Sequence, residues 1–388
     1  MTNGKDGFRM KRALSFLLSL CLTGLLTLPV SAEQLAVDAQ ACILMEKTTG
    51  EILYAVEEHK QYEPASVTKI MTILLVMEAI DAGTLSYDDI VTASAYACSM
   101  GGSQIWLKEH EQLSVRDMLK AVCVASANDC SVALGEHLAG SAEAFVQRMN
   151  ERAAQLGMHD THFVNPTGLP AQGHVTSAYD IALMSRELIL NHPDIRSFTT
   201  IWQDTLRGGT FGLSNTNKLI RYYPGATGLK TGSTDSALYC LSATAERDGM
   251  ELIAVILKSP TSTQRFEGAK TLLNYGFAAY AVTDIQPPQP LSPIPVKLGE
   301  EQSVMPRISG STTLLTEKTK LSGLETSIET EASLCAPVEQ GQQVGILTVK
   351  NGDEILLEVP LIAGNSVARL TYWQILSRCL HTAFFSTV

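Results

Sequence analysis

The sequence predicts an α/β (α+β) protein: one antiparallel sheet closed by strands from distant parts of the chain, an inserted helical lobe, a small all-β region and a terminal amphipathic helix. Three observations lead there. Strand-like runs lie at both ends of residues 35 to 280 with helical periodicity between them. Five prolines fall within Gln286 to Pro295 and break the chain. Beyond them the residues form short alternating runs rich in Thr, Ser, Val and Glu. The expected division is residues 1–32, 33–283, 284–365 and 366–388.

Residues 1–32 carry Lys5, Arg9, Lys11 and Arg12 ahead of the apolar stretch Ala13 to Val30, then the small-residue pattern Val30-Ser31-Ala32. This is the pattern of a secretory signal peptide, favoured over a retained anchor because the apolar stretch is short and interrupted. Leu20 before Cys21 argues against a lipoprotein site. Without this leader the chain has 25 cations against 39 anions, net −14, so no nucleic-acid partner is expected. Eight Cys and eight His show no ligand spacing, so neither a metal nor a cofactor is expected, and the cysteines read as small buried hydrophobes.

In chain order, Ala41 to Met45 and Glu51 to Glu57 form a hairpin around Lys47-Thr48-Thr49-Gly50. Pro64-Ala65-Ser66-Val67-Thr68-Lys69 opens a helix with Pro64 and Ala65 in its first turn, and the run Ile70 to Ile80, interrupted only by Thr72 and Glu78, makes that helix buried. Leu85 to Leu107 reads as irregular, with Met100-Gly101-Gly102-Ser103 as a loop. Ser114-Val115-Arg116-Asp117 is a capping box that starts a helix ending at Ser126. Asp129 to Ala139, Ser141 to Leu156 and Ser177 to Leu190 are further helices with their own caps. Leu238 to Thr244 and Met250 to Leu257 form a second hairpin, and Phe266 to Tyr280 returns to helix. Over Ser366 to Val388, Leu370, Trp373, Leu376, Leu380 and Phe384 share one face, with Thr371, Gln374, Arg378 and His381 opposite. A helix lying at a membrane surface is favoured over one packed on the β-rich region, since Trp, Phe and Arg suit a headgroup boundary.

Three motifs carry chemistry. Ser66 and Lys69 lie three apart at a helix start, where a desolvated amine can take the serine proton and free backbone N–H groups favour a developing oxyanion. Ser-x-x-Lys arises by chance about once in such a chain, and so does Ser-x-Asn, here Ser126-Ala127-Asn128 in a break between helices. Lys230-Thr231-Gly232, at the start of a strand hairpin, has a chance expectation of roughly a tenth. Each alone fits a surface accident, a capping turn or a solvated strand end; their order and context together form the active-site set of penicillin-interacting serine enzymes.

On these residues, together with Gly101-Gly102-Ser103 and Phe163-Val164-Asn165-Pro166-Thr167-Gly168-Leu169, the chain resembles the low-molecular-mass penicillin-binding proteins that act as serine-type D-alanyl-D-alanine carboxypeptidases. The likeness spans about Ala36 to Pro360. It implies a β-lactamase/transpeptidase-like fold, a peptidoglycan stem peptide ending in D-Ala-D-Ala as substrate, β-lactams as inhibitors, and a peripheral place on the outer face of the cytoplasmic membrane. It further implies Ser66 as nucleophile, Lys69 as base, and Ser126 with Lys230 as a relay to the leaving amine. Asn128 would hold the substrate amide, Lys230 and Thr231 the terminal carboxylate, and Gly232 would leave room along the strand. The oxyanion hole would be the N–H groups of Ser66 and Ser233, with Arg265 near the carboxylate site. A β-lactamase would need a glutamate to activate the deacylating water, and the Asn165 loop offers Thr161 in its place. A crosslinking transpeptidase would differ only in whether an amine or water resolves the acyl-enzyme, and a non-catalytic scaffold would have lost nucleophiles that are all present here.

Overall fold

The computed structural model describes residues 35–385; the segment read as a signal peptide lies outside them. The main sheet has strands β1 (Ala41–Glu46), β2 (Ile52–Val56), β3 (Ala226–Thr234), β4 (Leu238–Arg247) and β5 (Met250–Ser259), all antiparallel, in spatial order β2-β1-β5-β4-β3. The two hairpins therefore meet through β1 and β5, with Ile43 opposite Val255, and 169 residues separate the ends of β2 and β3. Alternation along the strands divides their side chains between two faces. Ile43, Met45, Ile253, Val255 and Leu257 join the main core under the helical lobe. Leu44, Leu252 and Ile256 meet the glycines of helix α6 on the other face.

Helices α1 (Lys69–Asp81), α2 (Val115–Ala125), α3 (Asn128–Ala139), α4 (Ala142–Gln155) and α5 (Ala178–Asn191) make the lobe, and α6 (Ser262–Ala279) covers the far face. Three of the predicted caps form: the Ser114, Ser141 and Ser177 hydroxyls accept from the N–H groups of Asp117, Ala144 and Asp180, whereas α3 begins at Asn128 behind Ala127 with no side-chain cap. Helix α1 is buried as expected, and both residues that interrupt its apolar run are accounted for. Thr72 Oγ1 donates to the Pro166 carbonyl at 2.8 Å, and Glu78 accepts from Arg152, which also bridges to Glu187 of α5.

Two details differ from the sequence reading. Pro64 precedes, and Ala65 opens, a separate 3-10 turn, Ala65–Thr68, ahead of α1. Within the stretch read as irregular, Ile90–Thr92 pairs with Gln112–Ser114, strands of three residues that are too short to show a period.

Beyond α6 the chain enters a β region at once. Tyr280–Asp284, in which the sequence reading places the end of the preceding helix at Tyr280 and the end of its domain at residue 283, pairs with Thr313–Glu317. The largest sheet there runs Pro306–Ile308, Glu354–Ala363, Gln343–Asn351, Leu324–Thr330, and two apolar clusters fill the region. Helix α7 (Tyr372–Phe385) turns its polar side inward: Arg378 donates to the carbonyls of Gly299 and Glu300, and Gln374 to the Glu300 carboxylate. Tyr372, Trp373 and Leu380 face out, each about half exposed or more. Among the described residues no helix is long and apolar enough to cross a membrane.

Candidate active site

The site lies where the lobe meets the open edge of the sheet. Strand β3 pairs with β4 on one side only, and the turn Ala65–Thr68 packs against it. The contact is close enough to require glycine. A Cβ on Gly232 would sit 2.9 Å from both the Pro64 carbonyl oxygen and the Ser66 nitrogen. The missing side chain lets the strand lie against the backbone of Ser66, a contact that stands beside the room for substrate the resemblance implies at Gly232.

Lys69 is fully buried, and its Nζ touches three groups: Ser66 Oγ at 2.9 Å, Asn128 Oδ1 at 2.5 Å and the Thr167 carbonyl at 2.7 Å. The last two are oxygens that only accept. A neutral amine has two N–H donors and one lone pair, so with both donors committed the lone pair faces the Ser66 hydroxyl. Burial, and then the charge of Lys230, hold Lys69 well below the usual lysine value, against the opposing pull of Asp129. No carboxylate among the described residues bonds to Lys69 or Ser66, so the amine is the base the geometry offers.

The Thr167 carbonyl reaches Lys69 because Asn165 winds its own loop. Asn165 Oδ1 accepts from Thr167 N, Thr167 Oγ1 and Gly168 N, while its Nδ2 donates to the Leu169 carbonyl. Gly168 has φ +82, and a Cβ there would fall 1.8 Å from the Ala65 oxygen, so the loop and the nucleophile turn interlock. The Phe-Val-Asn-Pro-Thr-Gly-Leu segment thus acts through a main-chain atom, which no side-chain motif reveals.

Ser126 ends α2 with φ +64, 4% exposed, and its hydroxyl has no hydrogen-bond partner among the described residues, leaving it available to a substrate. Asn128 is differently placed. Its Oδ1 is taken by Lys69, and its Nδ2 gives one hydrogen to the Gly101 carbonyl at 2.6 Å, while its N–H meets the Ser103 carbonyl. One amide hydrogen is left for the substrate role that the resemblance implied. The neighbouring Asp129 accepts from Ile105 N and Leu107 N, fixing the same loop.

On β3, Lys230 is 1% exposed, and burial brings its pKa down to about 7, with Cys123 opposing and Arg265 adding to the fall. Among the described residues its Nζ donates only to the Thr231 carbonyl, at 2.9 Å. Thr231 Oγ1 donates to Thr216 Oγ1 at 2.7 Å, which brings in a hydroxyl that the sequence reading did not single out. Ser233 is exposed on the same edge. Arg265, from α6, donates to the Gly232 carbonyl at 2.9 Å and the Cys240 carbonyl at 3.3 Å, between the rings of Tyr239 and Phe266. No carboxylate partners it among the described residues, and burial lowers its pKa to about 10. It braces β3 and adds positive potential behind Thr231.

Fold and site together have the features of one class, the serine acyl-transfer enzymes with a buried lysine one helical turn after a serine and a cationic strand edge facing both. The chain belongs to the family of serine-type D-alanyl-D-alanine carboxypeptidases, the low-molecular-mass penicillin-binding proteins. The model of the D-alanyl-D-alanine carboxypeptidase family matches residues 29–261, and that of the penicillin-binding protein 5 C-terminal domain matches 285–369. The sequence is 39% identical over 385 residues to D-alanyl-D-alanine carboxypeptidase DacF of Bacillus subtilis (strain 168), covering 96% of this chain and 98% of that one. It is 32% identical to DacD of Escherichia coli (strain K12), covering 91% and 93%. Penicillin-binding protein 5 from Haemophilus influenzae superposes with a TM-score of 0.78 at 30% identity, covering 88% of this chain and all of that one. Penicillin-binding protein D2 from Listeria monocytogenes, in an ampicillin-bound form, gives 0.58 at 35% identity over 63% and 99%.

Proposed function

We propose that Ser66 attacks the carbonyl between the last two D-alanines of a peptidoglycan stem peptide while Lys69 takes its proton. The observation that carries this is the Lys69 amine, committed to two acceptor-only partners with its third position 2.9 Å from Ser66 Oγ. The Ser66 oxygen bonds to the carbonyl carbon, the C–N bond breaks, and the proton held by Lys69 passes through Ser126 and Lys230 to the departing amine, which releases D-alanine and leaves Lys69 neutral. Water then attacks the ester carbonyl while giving a proton to Lys69, and as the C–O bond to Ser66 breaks Lys69 returns that proton to the Ser66 oxygen. The N–H groups of Ser66 and Ser233 stabilise the oxyanion, and Lys230, Thr231 and Thr216, with the potential of Arg265, take the terminal carboxylate.

The same site is acylated by β-lactams, a reading supported by the ampicillin-bound relative. The outward apolar side of α7 supports attachment at the outer face of the cytoplasmic membrane, after export by residues 1–32. The test is mass spectrometry of the mature protein after β-lactam treatment: the adduct is expected on Ser66 and absent from Ser66→Ala. An adduct on another residue, or on the Ala variant, would overturn the assignment.

A further inference from the structure

Ala65, immediately before the nucleophile, has φ +48, a conformation that costs a non-glycine residue about 1 kcal/mol or more and persists only where its surroundings enforce it. Three hydrogen bonds in series, two of them fully buried, do so. Thr68 Oγ1 donates to the Ala65 carbonyl at 2.8 Å, His174 Nε2 lies 2.8 Å from Thr68 Oγ1, and His174 Nδ1 lies 3.0 Å from the Val164 nitrogen. The Val164 N–H can only donate, so Nδ1 accepts and Nε2 carries the ring's proton; the Thr68 hydroxyl, receiving it, must pass its own hydrogen to Ala65. The direction of the whole chain is thereby fixed. Thr68 and His174 are 0% and 2% exposed. Burial, with His162 beside it, lowers His174 to about 4, so the ring stays neutral.

Val164 and His174 flank the loop whose Thr167 carbonyl holds Lys69, and the hydroxyl of Thr68 meets the turn that carries Ser66. One network therefore clamps nucleophile and base together. We propose that His174, acting through the Thr68 hydroxyl, is a positioning residue for acylation: it holds the Ala65 carbonyl and so aims the Ser66 hydroxyl at Lys69 and the Ser66 N–H at the oxyanion. This rests on Ser66 being the nucleophile.

The test is the rate of Ser66 acylation by a β-lactam in the full chain, with the noncovalent binding constant and Tm measured alongside. Thr68→Val keeps the volume and removes the hydroxyl; acylation is expected to slow about ten- to a hundredfold with noncovalent binding unchanged. Thr68→Ser restores the hydroxyl and is expected within about threefold of wild type. From the other end, His174→Leu should match Thr68→Val, while His174→Gln, which keeps a donor, should recover part of the loss; this pair decides the matter if Thr68→Val does not fold. Acylation at the wild-type rate in Thr68→Val or His174→Leu, or no rescue by either conservative variant, would overturn the proposal. Absence of a Ser66 adduct in the wild type would instead overturn the nucleophile assignment beneath it.

Discussion

The two walls of the cleft each bury a lysine, and they do so to different ends. Lys69, on the helical wall, has every hydrogen-bonding position of its amine filled, by Ser66 and by two acceptors that have their own supports, Asn128 by Gly101 and Thr167 by Asn165. Lys230, on the strand wall, is as deeply buried but has one carbonyl partner among the described residues. A saturated amine is a fixed base. An undersatisfied cation beside hydroxyls is an unfilled anion site, and its own charge helps keep the first lysine neutral. The difference teaches that burial alone does not define a catalytic lysine; the number and type of its partners do.

This contrast can be broken at Lys230. Replacing a cation that pairs with a buried carboxylate costs about 2–5 kcal/mol, so Lys230→Met should lose roughly thirty- to several-thousandfold in kcat/KM. It should also move the acid limb of the pH profile upward, because the charge that depresses Lys69 is gone. In the wild type the sign is opposite on the alkaline side. As pH rises through about 7, Lys230 loses its proton and kcat/KM falls, while bound carboxylate favours the charged form and places the limb of kcat higher. An acid limb unmoved in Lys230→Met would mean that the two lysines are not coupled.

The smallest effect on catalysis is expected from α7. Deleting residues 372–388 should shift the protein from membrane pellet to soluble fraction while leaving kcat/KM on a soluble peptide unchanged. Unchanged pelleting would remove the membrane role from its outward aromatic face.

What the sequence made legible was what local rules govern. Ser114, Ser141 and Ser177 cap helices because the partner N–H is three residues away, and the closure of the sheet followed from strand runs at both ends of a helical stretch. The side chains proposed for the site stood in sequence motifs, and the fold brings Ser66, Lys69 and Asn128 into contact. What escaped were contacts made by main-chain atoms or across long separations: the Thr167 carbonyl on Lys69, 98 residues away, and His174 on Thr68, 106 residues away. At Gly232 the sequence did not show the contact with Ser66 N, since the atom a side chain would strike belongs to a distant turn. Thr216 carried no motif, and only the pairing of its hydroxyl with Thr231 places it at the cleft.

The central claim is that the strand wall receives a free terminal carboxylate, and the most direct measurement compares kcat/KM for a peptide ending in D-alanyl-D-alanine with its C-terminal amide, in wild type and Thr231→Val. Losing one charge-assisted hydrogen bond costs about 1.5–3 kcal/mol, so Thr231→Val should cleave the free acid roughly ten- to a hundred-and-fiftyfold less efficiently. The amide should be a poor substrate for the wild type and little affected by the substitution. If the wild type cleaved the amide as well as the free acid, the carboxylate site would be refuted and the enzyme would act on internal bonds instead.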